Sequence, residues 1–272
     1  MIPRLTTLPG ALQIEAWGEP FATYATHGVP GFGPLFGSGR RAVTQVRGPG
    51  GRSVWIGLAG VAGEIFGAPD ARDAIAGTFA TEDLTVRRGA QSIGFRHVLR
   101  WVSADGTPAL RETRTVRAAA GPSAGVLLDI ECELSPLDDA PLLLGGSDFG
   151  PLCLRLAPAM LPDASGQLRN SADDFGPEAI SSGIAAWCAG TGVVDGETMG
   201  IAVLDHPDNP LHPCPWTATT DGLLSPAPLR GRTLTVEAGR TLRFSYRIIV
   251  HAGYVEAGWV DARLQDWIHG RA

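Results

Sequence analysis

The sequence predicts an all-β protein: a large antiparallel β-sandwich closed by a short C-terminal helix. Glycine and proline are abundant, at 36 and 21 of 272 residues, and are scattered along the chain. That spacing suits many short strands joined by turns. Segments that alternate polar and apolar residues recur along the whole length, and a two-residue period places one face of each strand in a core. A sandwich of this size forms without a domain split. No internal repeat or polar linker marks a boundary, so residues 1–272 read as a single β-sandwich domain.

In chain order, residues 11–24 read as strands broken near Gly18–Pro20, and residues 30–34 (PGFGP) as a turn. Residues 41–47 (RAVTQVR) read as a strand. In residues 53–58, Val54, Ile56 and Leu58 share one face and Trp55 takes the other. Residues 69–76 read as a short helix with proline in its first turn. Antiparallel strands are expected over 83–88, 92–102, 109–117 and 124–134, with an Asp-Gly hairpin signal at Asp105-Gly106. Asp129, Glu131 and Glu133 fall on one face. A strand at 152–156 precedes a loop over 162–178. Further strands are expected at 184–188, 199–204 and 233–237. In the strand 241–251, Leu242, Phe244, Tyr246, Ile248 and Val250 alternate with Arg243, Ser245, Arg247 and Ile249. A helix is expected over 255–269, with Trp259, Leu264, Trp267 and Ile268 near one side.

The formal charge is −6 and every basic residue is arginine. A mildly acidic chain without a basic tract is a poor nucleic-acid binder, because phosphate contacts dominate that affinity. No apolar run is long enough to span a membrane as a helix, and the N-terminus has no signal-peptide pattern. Cys132, Cys153, Cys188 and Cys214 lie far apart, which points to reduced, buried thiols and a cytoplasmic protein. Nucleotide-binding glycine loops, a serine-hydrolase elbow and the zinc-protease motif are absent. No cofactor is expected.

Residues 205–216 (DHPDNPLHPCPW) stand out. Pro207, Pro210, Pro213 and Pro215 exclude a helix or a central strand and stiffen the segment. Within it His206, Asp208, Asn209, His212 and Trp216 combine imidazoles and carboxylates, the pairing that acid–base work near neutral pH requires, with an aromatic suited to a sugar ring. A metal site built from Asp205, His206 and His212 is the less favoured reading, because the spacing fits no standard motif. Arg155, after Asp148-Phe-Gly, has a planar fork suited to a carboxylate or vicinal hydroxyls. Glu112 and Arg114 read either as a base with its partner or as a solvent-facing ion pair. His97 reads either as a cleft residue or as a satisfied core histidine, and His251 as structural.

The order Trp101-x3-Asp-Gly106, Glu112-x-Arg114, Asp148-Phe-Gly, Arg155, Trp187 and Leu-Asp-His-Pro-Asp-Asn-Pro-x-His-Pro-x-Pro-Trp216 resembles the PmoA-like family of uncharacterised bacterial proteins. Leu242, Tyr246-Arg and Val250-His-x-Gly253 fit the same pattern. The resemblance implies a galactose-mutarotase-like supersandwich, a fold whose members bind or transform carbohydrates. Relatives carry Pro-His-His where this chain has Pro49-Gly50-Gly51, followed by Arg52.

The expected function is therefore carbohydrate-directed: a small sugar or sugar derivative held in a cleft of the sandwich. One reading is an acid–base epimerase, mutarotase, lyase or hydrolase using His206, His212, Glu112 and Asp208. Arg155, Asp148, Asn209, Trp216, Arg52 and His97 would then bind the sugar. The other reading is a binding or sensor protein without catalysis.

Overall fold

The computed structural model describes residues 2–48, 51–69, 77–122 and 125–270. The chain opens on a meander of β1 (Arg4–Leu8), β2 (Ala11–Ala16) and β3 (Glu19–Ala25). Trp17 and Gly18, both at positive φ, form the tight turn that joins the last two. Short strands β4 (Gly31–Phe32), β5 (Val54–Ile56), β6 (Leu58–Val61) and β7 (Glu64–Phe66) follow. Then come four long strands, β8 (Thr78–Arg88), β9 (Ser92–Val102), β10 (Pro108–Ala120) and β11 (Val126–Ser135). Next are β12 (Leu142–Gly145), β13 (Leu152–Arg155), β14 (Gln167–Asn170) and helix α1 (Gly176–Ser182). The last third holds β15 (Ile184–Ala185), β16 (Trp187–Val194), β17 (Glu197–Asp205), β18 (Cys214–Ala218) and β19 (Leu223–Pro226). It closes with β20 (Thr233–Val236), β21 (Leu242–Ala252) and helix α2 (Ala257–Ile268).

Two antiparallel sheets enclose the core. One runs β1-β2-β3-β4-β5-β13-β19-β18-β15 and the other β14-β16-β17-β21-β11-β10-β9-β8. The pairs β12–β20 and β6–β7 stand apart from both. Alternation sets the layers. Leu12, Ile14 and Ala16 of β2 are buried between partly exposed neighbours, and Phe244, Tyr246, Ile248 and Val250 of β21 face the same interior. Ile249 points the other way, yet it is buried with Leu127, Ala202 and Leu204 beneath Val260 and Leu264 of α2. Thus α2 covers one end of the outer face of the eight-stranded sheet. The strands below it are apolar on both sides.

The sequence reading needs correction at six places. Residues 30–34, read as a turn, hold strand β4, which pairs with β3 and β5. Residues 41–47 make only isolated bridges, at Ala42 and Thr44, because Val43 is buried and bonds Leu35 across a loop rather than a strand. Residues 162–178 contain β14 and the start of α1 rather than a bare loop. Residues 184–188 split between two sheets, β15 in one and β16 in the other. Pro215 lies inside β18, which has neighbours on both sides; it is tolerated near the strand's start, beside a flanking strand of only two residues. Ile268 is 37% exposed at the end of α2 rather than on its buried side. The helix expected over 69–76 falls almost entirely outside the described residues. All four cysteines are buried and free. Among the described residues no helix is long and apolar enough to cross a membrane.

Candidate functional site

Strand register builds a polar strip where α2 stops covering the sheet. Arg117 of β10 pairs with Asp129 of β11, which pairs with Arg247 of β21. The next row is Thr115, Glu131 and Ser245, and Glu133 pairs with Arg243 in the row after. Directly opposed side chains share a face, so alternation turns these three strands into a ladder of acids and bases. Asp129 accepts from Arg247 Nε at 2.6 Å and Nη2 at 2.9 Å, and Glu133 accepts from Arg243 Nη2 at 2.7 Å. Burial raises the Glu131 carboxyl above the usual range, Arg243 pulls it back, and the neighbouring Glu133 pushes it up again.

Trp267, in the last turn of α2, and the segment 206–209 wall this strip into an open cavity of about 380 Å³. Drug-sized and cofactor ligands occupy clefts of about this volume upward. The Arg247 guanidinium lies 5.0 Å from the Trp267 ring centroid. His206 meets the same indole edge to face, 4.7 Å between centroids. Burial holds the His206 imidazole below its ordinary pKa, against the pull of Asp208 and Asp205. Its Nδ1 accepts the backbone N–H of Asp208 at 3.2 Å, so the neutral ring carries its proton on Nε2.

The two histidines of the proline-rich segment face different surroundings. Asp205 ends β17 and is 1% exposed. Its Oδ1 accepts from Asn209 Nδ2 and its Oδ2 from His212 Nδ1, both at 2.7 Å. Asn209 also donates to the Ser245 carbonyl at 2.8 Å and accepts the Ser245 N–H at 2.6 Å, so its amide extends the ladder beside β21. The segment folds back as a belt around a buried carboxylate. Trp216 is wholly buried and gives its Nε1–H to the Ala185 carbonyl at 2.9 Å. It offers no face to a ligand, which corrects the stacking role expected of it.

Glu112, Arg114 and His97 lie inside the sandwich, not on its surface. Glu112 receives Arg114 Nε at 2.7 Å, Arg114 Nη2 at 3.0 Å and Trp101 Nε1 at 2.8 Å, with no exposure. The hydrogen bonds continue one way. Arg114 donates to Tyr24 Oη at 3.0 Å, Tyr24 to His97 Nδ1 at 2.9 Å, and His97 Nε2 to Thr81 Oγ1 at 2.9 Å. Thr81 in turn donates to the Thr26 carbonyl. Burial and the nearby Arg114 charge lower the His97 pKa to about 4. The network ties β3 of one sheet to β8, β9 and β10 of the other. Both Glu112 oxygens are taken, so of the two readings from the sequence the solvent-facing pair is corrected to a buried clamp, and the base with its partner finds its carboxylate enclosed.

Arg155, Arg52 and Asp148 sit away from the cavity, around the nine-stranded sheet. Arg155 is buried and donates to Asp221 Oδ2 at 2.6 Å and to the Pro69 carbonyl at 3.0 Å. Asp221 also accepts from Arg47 at 2.5 Å. Arg52 donates to the His27 carbonyl at 3.0 Å. The Asp148 side chain is exposed, 3.8 Å from Arg230 Nε. A Cβ at Gly51 would lie 2.0 Å from the Arg47 carbonyl oxygen, so the backbone there leaves no room for a side chain. Gly50 lies outside the described residues.

Of the sequence candidates, the cavity thus gathers His206, Asp208 and Asn209. It adds Thr115, Arg117, Asp129, Glu131, Arg243, Ser245 and Trp267. The shared faces of β11 and β21 were legible in the alternation, but that α2 would end beside them was not. Among the described residues no group of three or more His, Cys, Asp or Glu is placed to hold a metal ion.

A family model described as a family of unknown function, DUF6807, matches residues 11–265. The chain belongs to that family. No curated protein matches the chain in sequence. Among solved structures, the DUF6807 chain is similar to a protein from human microbiome provisionally named a kojibiose phosphorylase, with TM-score 0.42 and 10% identity. That match covers 97% of this chain but 30% of the other, so the chain spans under a third of its length. It is also similar to the Slr1438 protein of Synechocystis sp. PCC 6803, with TM-score 0.41, 13% identity and 93% of each chain covered.

Proposed function

We propose that the protein binds a neutral carbohydrate in the cavity between α2 and the outer face of the eight-stranded sheet. The observation that carries this reading is the meeting of an indole, Trp267, with hydrogen-bonding side chains of both charges in one open cavity. Sugars present apolar C–H faces and a rim of hydroxyls, so an aromatic wall beside donors and acceptors matches both. Among the charged side chains that line the cavity, Arg117 and Arg243 stand against Asp129, Glu131 and Asp208, so acids outnumber arginines. Such a lining favours an uncharged polyol over an anion, which would need an excess of arginine. The resemblance of the 205–216 segment to the PmoA-like family, with its mutarotase-like sandwich, supports the same class of ligand.

A second reading, acid–base catalysis by His212 on a sugar bound outside the cavity's own lining, is favoured by one observation. Asp205 orients His212 through Nδ1 and leaves Nε2 with no partner among the described residues, the arrangement of a general base. Mutarotation needs only such a base on the anomeric hydroxyl and an acid at the ring oxygen.

Thermal-shift screening against neutral sugars and sugar acids separates these readings when hits are followed by NMR. Stabilisation by neutral sugars alone supports the binding reading, and accelerated anomeric exchange supports the catalytic one. Absence of any shift across both classes contradicts both.

A further inference from the structure

The outer edge of the eight-stranded sheet is self-complementary. Its last strand, β8, is 11 residues long and, among the described residues, pairs only with β9. The other open edges are short: β1 has five residues, β14 four and β15 two. A long open edge presents a row of unpaired backbone N–H and C=O groups and is a template for another strand. Proteins blunt such edges with bulges and charge. Here the bulge lies between Thr81 and Asp83, and from Asp83 to Arg88 the pairing with β9 is regular. The charge on that regular stretch is segregated, with an acid at its start and arginines at its end.

We infer that this edge pairs with the same edge of a second copy, antiparallel about a two-fold axis through Thr85. In that register Asp83 faces the second copy's Arg87, Leu84 faces its Val86, and Thr85 faces itself. Directly opposed residues of an antiparallel pair share a face, so the Asp83–Arg87 pair forms twice, once on each side of the axis. Arg87 and Arg88 make no ion pair within the chain among the described residues. Leu84 and Val86 are only half-buried, packed against the rim of the core. The two eight-stranded sheets then continue into one. The cavity beside α2 lies across β10, β11 and β21, with β9 between it and β8, and stays open in the dimer.

Charge reversal tests the register. Sedimentation of the full chain across concentration is expected to show a monomer–dimer equilibrium. Asp83→Arg and Arg87→Glu, both at exposed positions, each place like charges opposite and weaken dimerisation by about tenfold or more. Mixing the two single variants restores complementarity and is expected to give a heterodimer, and the double variant a homodimer. A wild-type monomer at every concentration overturns the inference, as does a dimer that neither single variant weakens. Single variants that weaken the dimer but form no heterodimer on mixing overturn the register.

Discussion

The His206 imidazole meets the Trp267 indole edge to face, with ring centroids 4.7 Å apart. This contact joins the proline-rich segment to the end of α2 and closes one side of the cavity. Because burial keeps His206 neutral, the contact is between two uncharged rings, with the guanidinium of Arg247 5.0 Å from the indole. The belt and the indole that walls the cavity are therefore in direct contact.

The belt depends on Asp205. Removing its carboxylate in Asp205→Ala leaves His212 Nδ1 and one of the two Asn209 amide hydrogens without an acceptor in a largely buried setting, the other amide hydrogen keeping the Ser245 carbonyl. Chemical denaturation is expected to show a loss of about 2–3 kcal/mol, the cost of unsatisfied buried groups. A loss within a few tenths of wild type contradicts the belt.

The inter-sheet clamp is more sensitive. Glu112→Gln keeps the volume but leaves the buried Arg114 without its counter-charge. Breaking one side of a buried pair costs about 3–5 kcal/mol, read as a large drop in denaturation midpoint. Replacing both partners by apolar residues of similar volume is expected to cost less than the single change.

Acid lowers stability through His97. The unfolded imidazole takes up a proton near pH 6.5, whereas the folded one does so only near 4. Between those values the unfolded state binds more protons, so stability falls as pH drops through this window and levels off below it. The full effect is about 3 kcal/mol. His97→Gln is expected to flatten the pH dependence between 6.5 and 4, measured by denaturation at several pH values.

The fold was largely legible in the sequence. The alternation in 92–102, 109–117 and 241–251 placed the long strands within a few residues, because half-buried antiparallel strands must alternate. The site was less so. A period of two reports which residues share a face, but not which strand lies next to which. Glu112 and Arg114 read either as a base with its partner or as a solvent-facing pair because nothing local says that β3 would cover them with Tyr24. Trp216 read as a stacking platform because proline-rich segments are usually superficial, whereas β18 carries it into the core. Trp267 was placed on the helix, yet only the length of α2 against the sheet showed where the covered face ends.

The central claim is tested most directly by isothermal titration of the neutral sugar that gives the largest thermal shift, into wild type and Trp267→Ala. Circular dichroism confirms that the variant is folded. The account predicts saturable binding to wild type and at least about tenfold weaker binding to Trp267→Ala, the loss of one aromatic wall. Equal affinity for the two proteins contradicts the placement of the sugar beside Trp267.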